Sequence, residues 1–189
     1  MKKTKKTLSY NELTKTLNKE AIGLSNFMLS DRHLNDLELI LNGAFAPLKS
    51  FMNKDDYDSV IKNSRLKNGN LWPIPITLDS NTEYLEKNNI EAGSKITLRD
   101  KEGFLIAILT VEDIWEIEKN KEAKSVYGTK NQNHPGVHFL YNNIKTHYIG
   151  GSLKKVQLPH HYDYQLLRHT PSELKQQFKK MGWKRIIAF

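Results

Sequence analysis

Lys95-Ile-Thr-Leu-Arg-Asp-Lys-Glu-Gly-Phe-Leu-Ile-Ala-Ile-Leu-Thr-Val111 reads as two β-strands joined by a turn. Lys95–Arg99 is one strand, Asp100-Lys-Glu-Gly103 supplies the turn, and Phe104–Val111 is the paired strand. The run Phe104–Leu109 is the longest apolar stretch and is strand-sized. A membrane span needs about 18 apolar residues in a row, so none is expected.

Working outward, Asp113-Ile-Trp115 closes the hairpin unit. Before it, Trp72-Pro-Ile-Pro-Ile-Thr-Leu78 alternates proline with apolar residues, as at a sheet edge or barrel rim. After it come a polar helix over 118–125 and a helix starting at Pro135, with His134 at the cap. Gly150-Gly151 is read as a turn between two short strands, Thr146–Ile149 and Leu153–Leu158. Towards the N-terminus, Ser30 caps a helix to Leu41 whose Leu34, Leu37, Ile40 and Leu41 share a face. Asn53 caps a second over 54–62, and Ser9 with Glu12 has capping-box spacing for a helix over 10–19.

The C-terminal residues change character. Thr170, Pro171 and Glu173 form a capping box, Leu174, Phe178 and Met181 make an apolar face, and Gly182 stops the helix. Trp183-Lys-Arg-Ile-Ile-Ala-Phe189 is then expected as a parallel-sheet strand buried on both faces. In an open α/β sheet, ligands bind beyond the C-terminal ends of strands, so such a loop is expected after residue 189.

The chain of 189 residues suits one domain or one domain with a small piece of a second. Seven Phe, eight Tyr and three Trp are too many for a disordered chain. Cysteine is absent, which excludes disulfides, thiol catalysis and cysteine-bound zinc. The net charge of +8 invites a nucleic-acid reading. It is uneven, however: residues 1–20 and 168–189 are basic, and the segment between them is near neutral. That distribution argues against a protein-wide polyanion surface. Met1-Lys-Lys-Thr-Lys-Lys6 has no hydrophobic segment after it, so a cytoplasmic location is expected.

Chemically suggestive residues each have a plainer account. His134 and His138 stand four apart, and zinc would need a third ligand such as His160, His161 or Asp163. The spacing follows no known zinc pattern, so a cap role for His134 and a loop position for His160-His161 are preferred. Gly150-Gly151 and Gly128-Thr129 match neither phosphate-loop spacing and read as turns, despite nearby Lys154 and Lys155. Arg32 and His33 fit projection towards a partner domain and a solvent-facing first turn equally well, and Asp31, Asp36 and Glu38 have no paired-carboxylate spacing. Trp72, Trp115 and Trp183 lie in apolar runs where core packing is the common role, so base stacking is not favoured. Lys175, Lys179, Lys180, Lys184 and Arg185 read as a solvated face.

One pattern is more specific. Asp36-Leu-Glu-Leu-Ile-Leu-Asn-Gly-Ala-Phe-Ala-Pro-Leu48 resembles a hallmark of the sulfate adenylyltransferase (ATP sulfurylase) family. Further matches follow in order, among them Pro75-Ile-Thr-Leu-Asp79, Val126-Tyr-Gly-Thr129, Tyr148-Ile-Gly-Gly151, Leu167-Arg-His-Thr-Pro171, Gly182-Trp183 and Ala188-Phe189. The resemblance covers residues 20–189.

It implies an α+β chain: a PUA-like β-barrel with peripheral helices, then the first helix and strand of an α/β nucleotidyltransferase domain. The implied boundaries are 1–20 for a basic tail and helix, 21–163 for the PUA-like domain and 164–189 for the start of the catalytic domain. The family's Gln-Thr-Arg-Asn segment follows Ala-Phe and has no counterpart here, so no catalytic, cofactor-binding or metal residue is carried over to this sequence. The implied role is a non-catalytic N-terminal region, inactive alone, of an enzyme that makes adenylyl sulfate and pyrophosphate from ATP and sulfate with magnesium. Expected partners are the catalytic domain, in cis or in trans, and further copies of the chain, with neither membrane nor nucleic acid. A freestanding PUA-like RNA-binding or partner-docking module is the alternative.

Overall fold

A computed structural model describes residues 10–187. Its scaffold is a five-stranded mixed sheet in the order β1-β3-β4-β5-β2. The strands are β1 (Ser25–Met28), β2 (Leu78–Ser80), β3 (Lys95–Arg99), β4 (Leu105–Glu116) and β5 (His147–Lys155). Only β1 and β3 run parallel; the other three pairings are antiparallel. The expected barrel is present in part, as a curled half-barrel that stays open between its edge strands β1 and β2.

The β3–β4 hairpin forms as the sequence predicts. Asp100 Oδ1 accepts from the backbone N–H groups of Glu102 and Phe104, and Gly103 takes φ +89° to close the turn. β4 extends further than expected, to Glu116. Its apolar run is buried on both faces. Ile106, Ala107 and Leu109 join the main core, while Leu105 and Ile108 meet Leu17, Ala21 and Val156 in a second cluster. Leu17 belongs to helix α1 (Tyr10–Glu20), which thereby covers the outer face of the sheet. Ser9, the expected cap of α1, lies outside the described residues.

Gly150 and Gly151 do not separate two strands; both lie within β5. A Cβ on Gly151 would sit 2.1 Å from the Thr110 carbonyl oxygen, and one on Gly150 would sit 2.3 Å from Asp113 Oδ1. The register shifts between Val111 and Asp113 opposite them, so a bulge bends β4 against the glycine pair. The glycines are needed for close backbone approach, not for a turn.

Helix α2 (Asp31–Leu41) starts where Ser30 accepts from the His33 N–H, and α3 (Lys54–Asn63) where Asn53 accepts from the Asp56 N–H. Leu37 and Ile40 of α2 and Tyr57, Val60 and Ile61 of α3 are buried in the main core. The proline-rich segment before Leu78 forms no strand, and β2 is only three residues long. A helix not anticipated, α4 (Thr82–Lys87), follows it under an Asn81 cap. Helices α5 (Lys119–Tyr127) and α6 (Pro135–Asn142) occupy the expected places.

Helix α7 (Pro171–Lys180) shows the capping box, and Gly182 takes φ +70° after it. None of its residues is buried. The expected strand after it is not formed by the described residues 183–187, which are exposed, Ile187 at 86%. A strand buried on both faces needs neighbouring strands and covering helices, and neither sheet edge takes this segment. No helix among the described residues is long and apolar enough to cross a membrane.

Candidate functional site

The two sheet edges are tied together through one carboxylate. Ser30 fixes the first turn of α2 immediately after β1, which places Arg32 and His33 beside β2. Asp79, in the middle of β2, accepts on Oδ1 from Arg32 Nη2 at 2.5 Å, and His33 Nε2 lies 2.7 Å from the same oxygen. Oδ2 accepts from the Lys145 N–H at 3.0 Å. Burial pushes the Asp79 carboxyl up. The hydrogen bond and charge of His33, the Lys145 N–H and the charge of Arg32 outweigh it and hold the group at about 2. Arg32 also bridges to Asp36 at 3.2 Å and donates to the Thr77 carbonyl at 3.1 Å.

This seam corrects the reading of Arg32 and His33 as a solvent-facing turn. His33 is buried, with Phe27 and Phe51 rings 6.0 and 6.4 Å away. Its Nδ1 has no hydrogen-bond partner among the described residues. Beside the seam lies a groove of about 580 Å³, lined by Met28, Arg32, Tyr84, Phe139, Ile144 and Lys145 among others.

A second buried carboxyl, Glu122 of α5, has two phenols on Oε2: Tyr57 at 2.8 Å and Tyr148 at 3.1 Å. Burial pushes the Glu122 carboxyl up, and the two hydrogen bonds offset part of that. Burial and the Glu122 charge push both phenols up, so they remain protonated donors. Trp115 packs 5.4 Å from Tyr57 and 5.8 Å from Tyr148. The cluster clamps α3, α5, β4 and β5 together within the core.

The histidines separate. His134 caps α6, its Nδ1 accepting from the Gly136 N–H, as expected. His138 bonds to Asn142. His161 is not merely a loop residue: its Nε2 lies 2.8 Å from Glu38 of α2 and ties the segment after β5 to the domain. Among the described residues, no three His, Asp or Glu side chains gather as a metal-ligand cluster.

Gly128 takes φ +70° at the end of α5, a turn position as read. Trp72 packs edge-on to Phe45, whereas Trp183 departs from the expected core role: it stacks on Phe178 and is 55% exposed. Lys175, Lys179, Lys180, Lys184 and Arg185 are all exposed. Sequence reasoning quoted Asp79 and Glu122-Ala123 only within stretches that resemble the family and gave neither acid a role of its own.

Comparison with known proteins places these features. A family model described as a PUA-like domain matches residues 2–158. The sulfate adenylyltransferase of Coccidioides immitis is 48% identical over 174 residues, which cover 92% of this chain and 30% of the relative. That of Mycosarcoma maydis is 44% identical over the same length and the same shares. A solved structure, the hexameric APS kinase from Thiobacillus denitrificans, superposes with a TM-score of 0.71 at 30% identity, covering 92% of this chain and 30% of that one. The chain thus spans about 30% of the length of these relatives.

Proposed function

Since this chain belongs to the PUA-like domain family, we propose that it serves as the non-catalytic N-terminal region of a sulfate adenylyltransferase. The parent enzyme would join ATP and sulfate to give adenylyl sulfate and pyrophosphate, with magnesium accompanying the nucleotide. The PUA-like unit occupies 21–163 after a basic N-terminal segment, and 164–189 begin the catalytic domain. The chain works in the cytoplasm, packs against that domain in cis or in trans, and takes part in oligomer contacts.

One observation carries this reading: an apolar surface without cover. Leu166, Leu167, Met181, Trp183 and Ile187 are all more than half exposed, and no residue of α7 is fully buried. Large apolar side chains left exposed along one segment support an interaction role for it. Its place in the chain agrees with a boundary to a second domain. Nucleotidyl transfer rests on positioned cationic groups, backbone amides and metal. The charged core groups of the described residues are engaged with one another, Arg32 with Asp79 and Tyr57 with Glu122.

The test is reconstitution. The chain and the remaining segment of the Coccidioides immitis relative are expressed separately, mixed, and assayed for association and for pyrophosphate release from ATP and sulfate. The expected result is a complex, with no release by the chain alone. Release above blank by the purified chain with magnesium would sink the proposal, as would failure of the two pieces to associate.

A further inference from the structure

We propose that residues 156–170 form a rigid strut, anchored through Glu38 and Glu102, which holds α7 and the apolar side chains around it in a preset orientation for the unit that docks there. The inference rests on the reading above, which supplies that occupant, and it names the residues that do the positioning. No residue of α7 is buried, so core packing does not hold the helix in place. What fixes it must act through the segment that joins it to β5.

That segment is tied down along its length. The Val156 and Gln157 N–H groups donate to the Ile106 carbonyl at 3.0 and 3.2 Å, and Gln157 Nε2 donates to the Leu105 carbonyl at 3.0 Å. His161 Nε2 lies 2.8 and 2.9 Å from the two carboxylate oxygens of Glu38 on α2. A carboxylate only accepts, so Nε2 carries the proton there. Tyr162 Oη donates at 2.9 Å to Glu102 in the β3–β4 turn. A lone surface ion pair contributes little. Here the His161 and Glu38 side chains are only 28% and 22% exposed, and the next residue makes a second tie to a different element. Two anchors on two elements define an orientation, where one would leave a swivel.

Past the anchors the chain stiffens itself. Gln165 Nε2 donates to the His161 carbonyl at 3.0 Å, and Arg168 donates to the Asp163 carbonyl at 3.1 Å and carboxylate at 2.9 Å. The Thr170 capping box then starts α7. Tyr164 sits at φ +47°, a left-handed setting that a residue with a side chain keeps only where its surroundings over-determine it. Tyr164, Leu166 and Leu167 stand exposed on this braced segment. A surface ordered before docking loses less freedom when it docks, which strengthens association.

The test begins on the full chain alone, with amide residual dipolar couplings. In the native chain, α7 should fit the same alignment as β3, β4 and β5. Glu38→Ala with Glu102→Ala removes both anchors and leaves residues 156–187 unaltered. Neither side chain belongs to a core cluster, so the fold is retained, which circular dichroism checks. In that variant the α7 couplings should shrink at least about twofold while those of the sheet stay as they were. An α7 that fails to share the alignment of the sheet in the native chain overturns the proposal, as does one that still shares it in the variant. The second arm measures association with the remaining segment of the Coccidioides immitis relative. The same variant should weaken it about tenfold, whereas Glu86→Ala with Glu91→Ala, an equal charge change on and after α4, should not. Equal affinity of the native chain and the anchor variant overturns the preset orientation. Failure of every form to associate overturns the reading above instead, and the couplings of the chain alone still decide the strut.

Discussion

His33 Nε2 lies 2.7 Å from Asp79 Oδ1, although 46 residues separate them in the chain. His33 stands in the first turn of helix α2 and Asp79 on strand β2. Their contact joins the region after edge strand β1 to edge strand β2, which share no ladder hydrogen bonds. A carboxylate with three donors around it does there what a closing strand would do in a complete barrel.

Acid should loosen this contact. Asp79 titrates at about 2 in the folded chain against an ordinary 3.8. A depressed carboxyl stabilises the fold above its unfolded value, and the contribution is lost as pH falls from near 3.8 through 2. The difference amounts to about 2 kcal/mol. Urea unfolding between pH 2 and 6 should show the loss, and Asp79→Asn should remove most of that slope. An unchanged slope in the variant refutes the assignment.

Glu122 has the opposite sign. Its folded value is raised, so its ionisation costs stability as pH rises through the carboxylate range. Glu122→Gln retains an acceptor for Tyr57 and Tyr148 and should cost little or even stabilise at neutral pH. Glu122→Ala leaves two buried phenols unpaired and a cavity, for about 3 kcal/mol of loss. Denaturant midpoints of the two variants at pH 7 compare them directly.

Gly151→Ala should be among the most damaging small substitutions in the sheet. The new methyl would meet backbone at Thr110, which has no rotamer to move, and about 3 kcal/mol or more is expected. Gly128→Ala meets no atom within 4 Å and pays only for its φ of +70°, about 1 kcal/mol. Thermal melts should rank the pair in that order.

Trp183→Ser with Ile187→Ser should raise solubility while leaving the melting temperature nearly unchanged, because these side chains touch none of the main core. Light scattering against concentration, beside a melting curve, measures both. A large fall in melting temperature would mean that the segment packs on the domain in solution.

The elements that the sequence predicted correctly share a physical cause. Ser30, Asn53, His134 and Thr170 each satisfy a helix N-terminus two or three residues away, and Asp100 closes its hairpin within four. The misreadings share one too. Gly150-Gly151 looks like a turn locally; only the bulge of β4 across the sheet shows that it is a place of close contact. Trp183–Ile187 has strand composition, but composition supplies no neighbouring strand.

The sequence by itself therefore determined where helices begin, where the central hairpin turns and which family motifs the chain carries, because short-range hydrogen bonds and residue order express those directly. Only the tertiary structure decided that Arg32 and His33 turn inward to Asp79, that Glu122 sits between two tyrosines and that the last helix stays uncovered. Those outcomes rest on contacts between segments tens of residues apart. Their geometry exists only once sheet order and register have brought the segments together.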